Sequence, residues 1–457
     1  MRDLFLLAIL PFLLYAMTKR PFIGLGLWIW TALFFPNGWV YGMASNIRYN
    51  LLFTGVTVLC YMAQKHKPKL HLGGLGAMVL LFFLWTTAST AMTLASPEVS
   101  WDIWSRFAKV MMLFLFVLLI VEKKLHIEFI LWCVVLSVGF YGNLEALKFI
   151  ASGGGHKIAG MHGHVLGDRN ELSLAFVMTL PICYYLLGEY RNRSRVVAVA
   201  LLGTMCLLVT AVVGTQSRGG FIALTGFGAY LFLKTDRKIP ILLLVSVLAL
   251  GLSYFVSDEW MSRMDTIESV DGDASFMGRV VAWKLSFILA VQNPFFGGGF
   301  KSLEYFPVWA ELSRDFFSYE WFYTGDALPH TDVGRAAHSI YFQVLGDQGF
   351  AGLAIYLTFL GGAFLKAGRI ARDVKSEGCL KWVGSLATML QLSLFTFALG
   401  GAALSLAYFE LVFAIIALLI VLESRVLRAV RSQQHVDESS ATTEAVTRRT
   451  AETAATS

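Results

Sequence analysis

Long apolar segments recur along almost the whole chain. Stretches of roughly 15 to 25 residues, each long enough to cross about 30 Å of hydrocarbon as a helix, follow one another from Leu4 to Leu427. Because a backbone exposed to lipid has to satisfy its own hydrogen bonds, such segments form helices rather than open strands. The composition agrees, since 56% of the residues are hydrophobic and only 15% are charged. The sequence predicts an all-α polytopic membrane protein with about 12 or 13 transmembrane helices, depending on whether the short segments 3–18 and 21–35 both cross.

Basic residues mark one side of the predicted bundle. Clusters of Lys and Arg occur at every second connection, at Lys19-Arg20, Lys65 to Lys69, Lys123-Lys124, Arg191 to Arg195, Lys234 to Lys238, Lys366 to Lys375 and after Arg425. Basic residues are enriched on the cytoplasmic side of membrane proteins, so these connections are predicted to be cytoplasmic. The connections between them are poor in basic residues, at 36–48, 96–105, 151–170, 214–220, 258–338 and near Gly400-Gly401. This alternation predicts that the second set faces the outside and that the C-terminus is cytoplasmic.

The predicted organisation has five segments. They are an N-terminal transmembrane half (1–190), transmembrane helices that carry a Thr-Gln-Ser-Arg-Gly turn (191–257), a large external loop (258–338), C-terminal transmembrane helices (339–431) and a tail (432–457). The tail is rich in Ser, Thr, Ala and Glu and lacks apolar periodicity. Such a composition cannot bury enough apolar surface to fold, so the tail is predicted to be a disordered cytoplasmic segment.

The external loop differs in composition from the rest of the chain. From Asp258 to His338 it contains twelve Asp or Glu residues against six Lys or Arg residues. Within it, the stretch from Phe276 to Val291 has a helical pattern that begins too polar to span, which predicts a short helix packed on the bundle or lying in the interface. The many aromatic residues that follow suit an interfacial belt, or alternatively a platform for sugar rings or lipid.

The first motif with chemical potential is the turn from Gly214 to Gly220. Arg218 is flanked there by glycine and by the polar residues Gln216 and Ser217, at the point where one apolar span ends and the next begins. Exposed backbone N–H groups and a guanidinium at a helix N-terminus can form a cradle for an anion. The alternative is a tight interhelical turn whose Arg side chain extends along the membrane surface.

Arg279 and Trp283 form the second motif. They are four residues apart in the predicted external helix and share one of its faces, so the guanidinium can lie over or beside the indole ring. The alternative for Arg279 is a surface salt bridge to a nearby acid such as Asp271 or Asp273.

His338 is the third candidate, at the point where the acidic loop returns to the membrane through Tyr341. An imidazole at a boundary between apolar and aqueous surroundings can have a pKa near neutrality and act as a general base. Arg335 lies three residues earlier. A single histidine in such a position can equally be structural.

The loop from Ser152 to Glu171 contains a group of polar residues. His156, His162 and His164 superficially resemble a metal site, but their spacing fits no familiar zinc or iron pattern. Binding of a polar substrate headgroup by Asp168 and Arg169 is the better interpretation. Four ionisable residues lie in or near apolar spans and are expected to be paired, namely Lys109, Glu145, Lys148 and Glu410.

Motifs for nucleotide binding or for a serine nucleophile are missing from the sequence. An external site that works without ATP requires a substrate that carries its own activation. Arginines at such a site suggest a lipid-linked phosphate or pyrophosphate leaving group.

Three sequence elements occur in an order that resembles the O-antigen ligase and polymerase superfamily. They are Thr215-Gln216-Ser217-Arg218-Gly219, then Gly278-Arg279 to Trp283 followed by Asn293-Pro294-Phe295-Phe296-Gly297-Gly298-Gly299, then the helix start from His338 to Gly349. The resemblance covers about residues 195–425. In the N-terminal half, Gly167-Asp168-Arg169-Asn170-Glu171-Leu172 is similar to a branch described as O-glycosylation ligases.

The resemblance implies a GT-C-like glycosyltransferase of the bacterial inner membrane. Such an enzyme moves O-antigen from undecaprenyl pyrophosphate to a hydroxyl of lipid A-core on the periplasmic side, with no cofactor, metal ion or nucleic acid. By their positions in the motifs, Arg218 and Arg279 are expected to bind the donor pyrophosphate and His338 to be the catalytic base, with inversion at the anomeric carbon. Further substrate contacts are expected from Gln216, Ser217, Trp283, Arg335, Tyr341, Asp168 and Arg169, and membrane lipid is the remaining partner.

Two other functions fit the sequence. A repeat-unit polymerase or a protein O-oligosaccharyltransferase uses the same donor and differs in the acceptor. A transporter can use Glu145, Lys109 and Glu410 as an intramembrane relay, and then predicts broken helices or an internal repeat.

Overall fold

The computed structural model describes residues 2–65, 67–234 and 274–428, and every regular element in these ranges is a helix. In the first range and up to residue 234 the helices are α1 (Arg2–Lys19), α2 (Pro21–Leu33), α3 (Pro36–Trp39), α4 (Tyr49–Ala63), α5 (Gly73–Ala91), α6 (Pro97–Ile120), α7 (Lys124–Val134), α8 (Phe140–Ala151), α9 (Arg169–Tyr190), α10 (Arg195–Gly214) and α11 (Arg218–Lys234). From residue 274 they are α12 (Ala274–Gln292), α13 (Phe306–Arg314), α14 (Ile340–Asp373), α15 (Lys381–Gly400) and α16 (Glu410–Val421). The segments 235–257 and 258–273 of the predicted organisation, and the tail 432–457, lie outside the described residues.

The lengths and composition of the helices confirm a polytopic membrane protein. Within the described ranges, seven helical units are long and apolar enough to cross a membrane, at Gly73–Ala91, Pro97–Ile120, Lys124–Ala151, Arg169–Tyr190, Arg195–Gly214, Ile340–Asp373 and Gly378–Ala403. Shorter apolar helices occupy Pro21–Leu33, Tyr49–Ala63 and Arg218–Leu233. The expected total of about 12 crossings stays a prediction. At the start of the chain, α1 and α2 are two helices that meet at Arg20, because Pro21 has no N–H to continue α1 and suits the first turn of α2.

The connections of the bundle form two groups. One group contains the connections predicted to be cytoplasmic, and we call it the basic end. There Lys124 pairs with Glu189, and the Arg425 guanidinium donates to Val121 O and Lys69 O at 2.7 and 2.8 Å. Three basic connections far apart in sequence therefore meet in space, as the charge alternation predicted.

The other group, which we call the site end, comprises the connections 34–48, 92–96, 152–168, 215–217, 293–339 and 401–409. Its connections also touch one another. Leu94 N donates to Gly298 O at 2.9 Å, Ile158 N to Gly214 O at 3.2 Å, and His164 hydrogen bonds to Ala32 O. The connections poor in basic residues thus share one end of the bundle.

A glycine-rich turn locks the external segment onto α14. The α14 helix is interrupted at Gly349, which has φ +70°. The turn after α12 fits against this break: Gly298 N donates to Gly346 O, Gly299 N to Asp347 O, and Phe350 N to Pro294 O, each at 2.9 Å. A Cβ on Gly297 or Gly349 would collide with the facing backbone, so both positions need glycine. Two separate sequence motifs therefore form one joint.

The helix predicted over 276–291 is present as α12. Its buried side chains Val281 and Leu285 form a small core with Trp309 and Leu312 of α13. The opposite side of α12 packs on α14, where Ser286 faces Gly346. The joint and this core together hold Arg279 and the approach to His338 at the site end.

Candidate functional site

The Thr-Gln-Ser-Arg-Gly turn is tied to the start of α9. The Ser217 hydroxyl donates to Asn170 Oδ1 at 2.8 Å and accepts from Gly220 N at 3.1 Å. A Cβ on Gly220 would overlap Ser173 of α9, so the glycine allows α9 and α11 to approach at this point. Gln216 has φ +53°, and its side-chain Oε1 is buried without a hydrogen-bond partner. This geometry places Arg218 at the first position of α11.

Asp168 caps α9 beside that turn. Its Oδ1 accepts from Asn170 N at 2.8 Å and from Asn170 Nδ2 at 2.7 Å, and its carboxyl lies within hydrogen-bonding reach of the Glu171 carboxyl. Burial acts to raise the pKa of Asp168, but the hydrogen bonds and the charge of Arg169 outweigh it and lower the pKa. Asp168 is therefore an anion at neutral pH, and Arg169 is its immediate half-buried neighbour.

Arg279 projects from α12 toward the short connection between α15 and α16. Its guanidinium donates to Ala403 O at 3.2 Å, and its charge acts on both Glu171 and His338. These contacts link the external helix, the start of α9 and the end of α15 at one place. The nearby acids Asp271 and Asp273, the alternative partners for Arg279, lie outside the described residues.

His338 lies half-buried at the centre of this group. Its backbone has φ +47°, and its N–H donates to the Ser405 hydroxyl at 2.9 Å. Burial lowers the pKa of the imidazole below its usual value, and the charge of Arg279 lowers it further, whereas Asp168 and Glu304 act in the opposite direction. The net result is a neutral imidazole at pH 7, able to accept a proton.

Two further predicted site residues help to position this histidine. The Trp283 indole donates to Ala337 O at 2.6 Å and stacks on Phe342 with the ring centroids 5.2 Å apart. The Tyr341 hydroxyl donates to Ala398 O at 2.7 Å. Arg335 is exposed, and its charge acts to lower the pKa of His338. Trp283 thus holds the backbone before His338 and Tyr341 holds the backbone after it.

The polar residues near His338 have defined partners. Asp347, nine residues after His338, accepts from Lys301 N at 3.2 Å and from the Tyr408 hydroxyl at 3.1 Å. The carboxylates that act on His338 are Asp168 and Glu304. Two of the three histidines of the 152–168 loop have separate structural partners: His156 binds Glu145 at 2.7 Å, and His164 binds Ala32 O at 2.9 Å.

Of the four ionisable residues in or near the spans, two form ion pairs within the described ranges and two do not. Glu145 binds Lys148 at 2.5 Å as well as His156, which confirms the predicted pairing for these two residues. The same prediction is wrong for Lys109 and Glu410, which form no ion pair in the part of the chain that the structure describes. Both of them line one cavity.

This cavity has a volume of about 560 Å³ and lies beside the site. Its walls come from α2, α4, α6, the 163–165 loop and the connection from Ser405 to Glu410. Ser405 therefore both binds the backbone of His338 and lines the cavity. Sequence reasoning missed Ser405 and Ala403, although Ser405 is the single hydroxyl in the apolar stretch from Gly400 to Ala407.

The fold and the site define an all-helical, multi-pass membrane protein with arginines, an anionic aspartate and a neutral histidine gathered at one end of the bundle. Residues 203–357 match the family described as O-Antigen ligase, and residues 1–191 match one described as a family of unknown function (DUF5935). The match over residues 203–357 supports an O-antigen ligase-like family, as the sequence resemblance indicated. Members of that family are glycosyltransferase-like enzymes that act on lipid-linked glycans. No curated protein matches the chain.

Proposed function

We propose that the protein is an O-antigen ligase that transfers glycan from undecaprenyl pyrophosphate to a hydroxyl of lipid A-core. The proposed site faces the periplasm from the bacterial inner membrane. The observation that carries the proposal is the meeting of Arg279 and His338 beside the Ser217–Asn170 contact, which ties three family motifs to one end of the bundle. The family match supports the lipid-linked donor class. Lipid A-core is the acceptor that we propose among those that can react with such a donor.

In the proposed reaction, His338 takes the proton from the acceptor hydroxyl. The oxygen forms a bond to the anomeric carbon as the bond from that carbon to the pyrophosphate oxygen breaks, and undecaprenyl pyrophosphate leaves with the electron pair. Direct displacement inverts the anomeric configuration. The lowered pKa of His338 keeps the imidazole neutral, so it is ready to accept the proton.

Arg218 and Arg279 take the role of pyrophosphate ligands. Guanidiniums remain charged at any physiological pH and can hold phosphate oxygens through paired hydrogen bonds. As negative charge develops on the leaving group, two fixed cations stabilise it in the transition state. Gln216, Ser217, Arg335 and Arg169 are proposed as additional donor contacts around them. This scheme requires no divalent cation.

The test is glycan transfer by full-length protein reconstituted in lipid vesicles with both substrates and EDTA. We expect transfer by the wild type, a loss of about 10²–10⁴-fold for His338→Ala and of about 10²–10³-fold for Arg218→Ala. Lys366→Gln at the basic end is the matched control and should retain activity. Full transfer by His338→Ala, or loss of wild-type transfer on chelation, contradicts the scheme.

The acceptor is tested separately in cells. Loss of a ligase leaves finished polymer on its carrier lipid, whereas loss of a polymerase leaves single repeat units on it. Accumulation of single repeats in a deletion strain would reassign the protein to the polymerase alternative.

A further inference from the structure

The cavity beside His338 contains charges that the proposed donor site does not use. It is lined by Lys109 and Glu410, together with Arg106 and Lys301. Arg106 is paired with Asp102 at 2.9 Å and Lys301 with Glu304 at 2.9 Å. Lys109 has no ion pair in the described part of the chain, and Glu410 Oε2 is buried without a hydrogen-bond partner. An unpaired ionisable residue within a membrane helix is costly, which makes a ligand-binding role the default expectation.

The remaining walls combine apolar rings with hydrogen-bonding groups. Trp28 and Phe107 present aromatic surface, and Asn50, Gln343 and Tyr408 present amide and hydroxyl groups. A volume of about 560 Å³ falls in the range of pockets that hold small organic ligands. Flat apolar faces beside hydrogen-bonding groups suit sugar rings, and a free ammonium suits an anionic substituent on them.

The position of the cavity suits the attacking acceptor hydroxyl rather than the pyrophosphate leaving group. The described residues that line it include neither Arg218 nor Arg279. Ser405 lines the cavity, and its hydroxyl binds the His338 backbone. Ser405 lies two residues after Ala403, whose carbonyl binds Arg279. In a displacement with inversion, the attacking hydroxyl approaches from the side away from the leaving group. A ligand in this cavity can reach His338 without occupying the arginine site.

The origin of the walls also separates the cavity from the shared catalytic motifs. Of its lining, only Lys301 and Gln343 fall within residues 203–357, which match the ligase family. The helices α2, α4 and α6 belong to residues 1–191, which match the family of unknown function. A region outside the catalytic motifs is where a choice between acceptors can be encoded without disturbing the chemistry.

We infer that this cavity is the acceptor subsite, and that it binds an anionic glycan headgroup through Lys109 and Glu410. Lys109 pairs with the phosphate or carboxylate of the acceptor, and Glu410 accepts hydrogen bonds from its hydroxyls. This inference rests on the proposed function, because only that function makes the ligand an acceptor. Binding of the glycan headgroup itself does not require turnover.

The experiment measures equilibrium binding to the full chain in detergent micelles. The probe is core oligosaccharide released from lipopolysaccharide by mild acid, before and after removal of its phosphates with hydrofluoric acid. We expect Lys109→Gln and Glu410→Gln each to weaken binding of the phosphorylated probe about tenfold or more, because each removes a charged hydrogen-bonding partner. Lys109→Arg should restore most of the affinity. Lys148→Gln, which removes a lysine paired with Glu145 away from the cavity, should change nothing.

The two probes identify the anion. If removal of phosphate lowers the affinity of the wild type to that of Lys109→Gln, phosphate is the group that Lys109 binds. If Lys109→Gln still weakens binding of the dephosphorylated probe, Lys109 binds a sugar carboxylate instead. Equal binding by the wild type and both variants overturns the inference, as does tighter binding of an acidic peptide than of either oligosaccharide.

A second measurement separates this inference from the proposed function. Binding of undecaprenyl pyrophosphate should be weakened by Arg279→Gln and not by Lys109→Gln, and the reverse pattern overturns the acceptor assignment. In the transfer assay, Lys109→Gln should raise KM for the acceptor with little effect on kcat. If the wild type binds the oligosaccharide through Lys109 but transfers no glycan, the proposed function fails while the binding site stands.

Discussion

The two ends of the bundle satisfy their polar groups in different ways. At the basic end, charged side chains meet acids or carbonyl oxygens, as in the pair of Lys124 with Glu189. At the site end lie all three non-glycine residues with positive φ in the described ranges, Gln216, Lys301 and His338. Backbone in this region costs of order 1–3 kcal/mol per residue and persists where the surrounding structure enforces it.

Buried polar atoms without partners do not account for this difference, because they occur at both ends. Gln216 Oε1 and Glu171 Oε2 at the site end and the Tyr185 hydroxyl near the basic end are all buried with no hydrogen-bond partner. Polar groups left in this way lower stability unless a ligand completes them. The basic end therefore holds the helices together through ion pairs and hydrogen bonds, whereas the site end contains backbone strain where it presents its side chains.

The largest effect is expected for His338. Replacement by Gly should lower transfer about 10²–10⁴-fold, because the base is lost. The same change should make the protein more stable than His338→Ala by about 1 kcal/mol, since Gly adopts positive φ without the steric cost that Ala retains. The measurements are transfer rate and the thermal unfolding midpoint in detergent. A Gly variant less stable than the Ala variant would show that the site end is not strained at this position.

The opposite result is expected for Lys124 at the basic end. Lys124→Gln leaves Glu128 and Glu189 without their common cation, and should lower the free energy of unfolding by about 1–3 kcal/mol. Transfer per folded molecule should be unchanged, because the pair lies at the other end of the bundle. Lys366→Gln is the control, with a smaller cost expected because Glu423 is more exposed. A fall in kcat with Lys124→Gln would break the division between the ends.

The smallest effect is a shift in pH dependence. Asp168 raises the pKa of His338, so Asp168→Asn should lower that pKa further and move the acid limb of kcat/KM to lower pH. Asn also caps helices well, so α9 should remain intact. Arg335→Gln removes a charge that lowers the pKa of His338 and should move the limb the other way. Shifts of both variants in one direction would rule out His338 as the titrating base.

The membrane class and the grouping of the connections were predictable from sequence. Both depend on local composition: apolar length decides whether a helix can span, and the positions of Lys and Arg decide which connections share a side. The location of α12 was also predictable, because its helical pattern is local. The resemblance selected Arg218, Arg279 and His338 because each lies in a short motif that can be recognised without knowing its neighbours.

The contacts among these motifs were decided by tertiary structure. Asp347 follows His338 by only nine residues, but the break at Gly349 and the turn at Gly298 and Gly299 direct its carboxyl to Lys301 N and Tyr408. The sequence offered no reason to connect Asp168 with His338, since 170 residues separate them. Their interaction exists only because the start of α9 and the connection before α14 lie at the same end of the bundle.

Apolar length and charge bias are enough to identify a multi-pass helical membrane protein, and local motifs are enough to select the residues proposed to carry its chemistry, because all of these are properties of neighbouring residues. Tertiary structure alone decided that Ser405 holds His338, that Arg279 reaches Ala403, and that Lys109 and Glu410 share a cavity with Ser405. Those relations depend on how helices distant in sequence pack against one another, and the periodicity of a single helix contains no information about its neighbours.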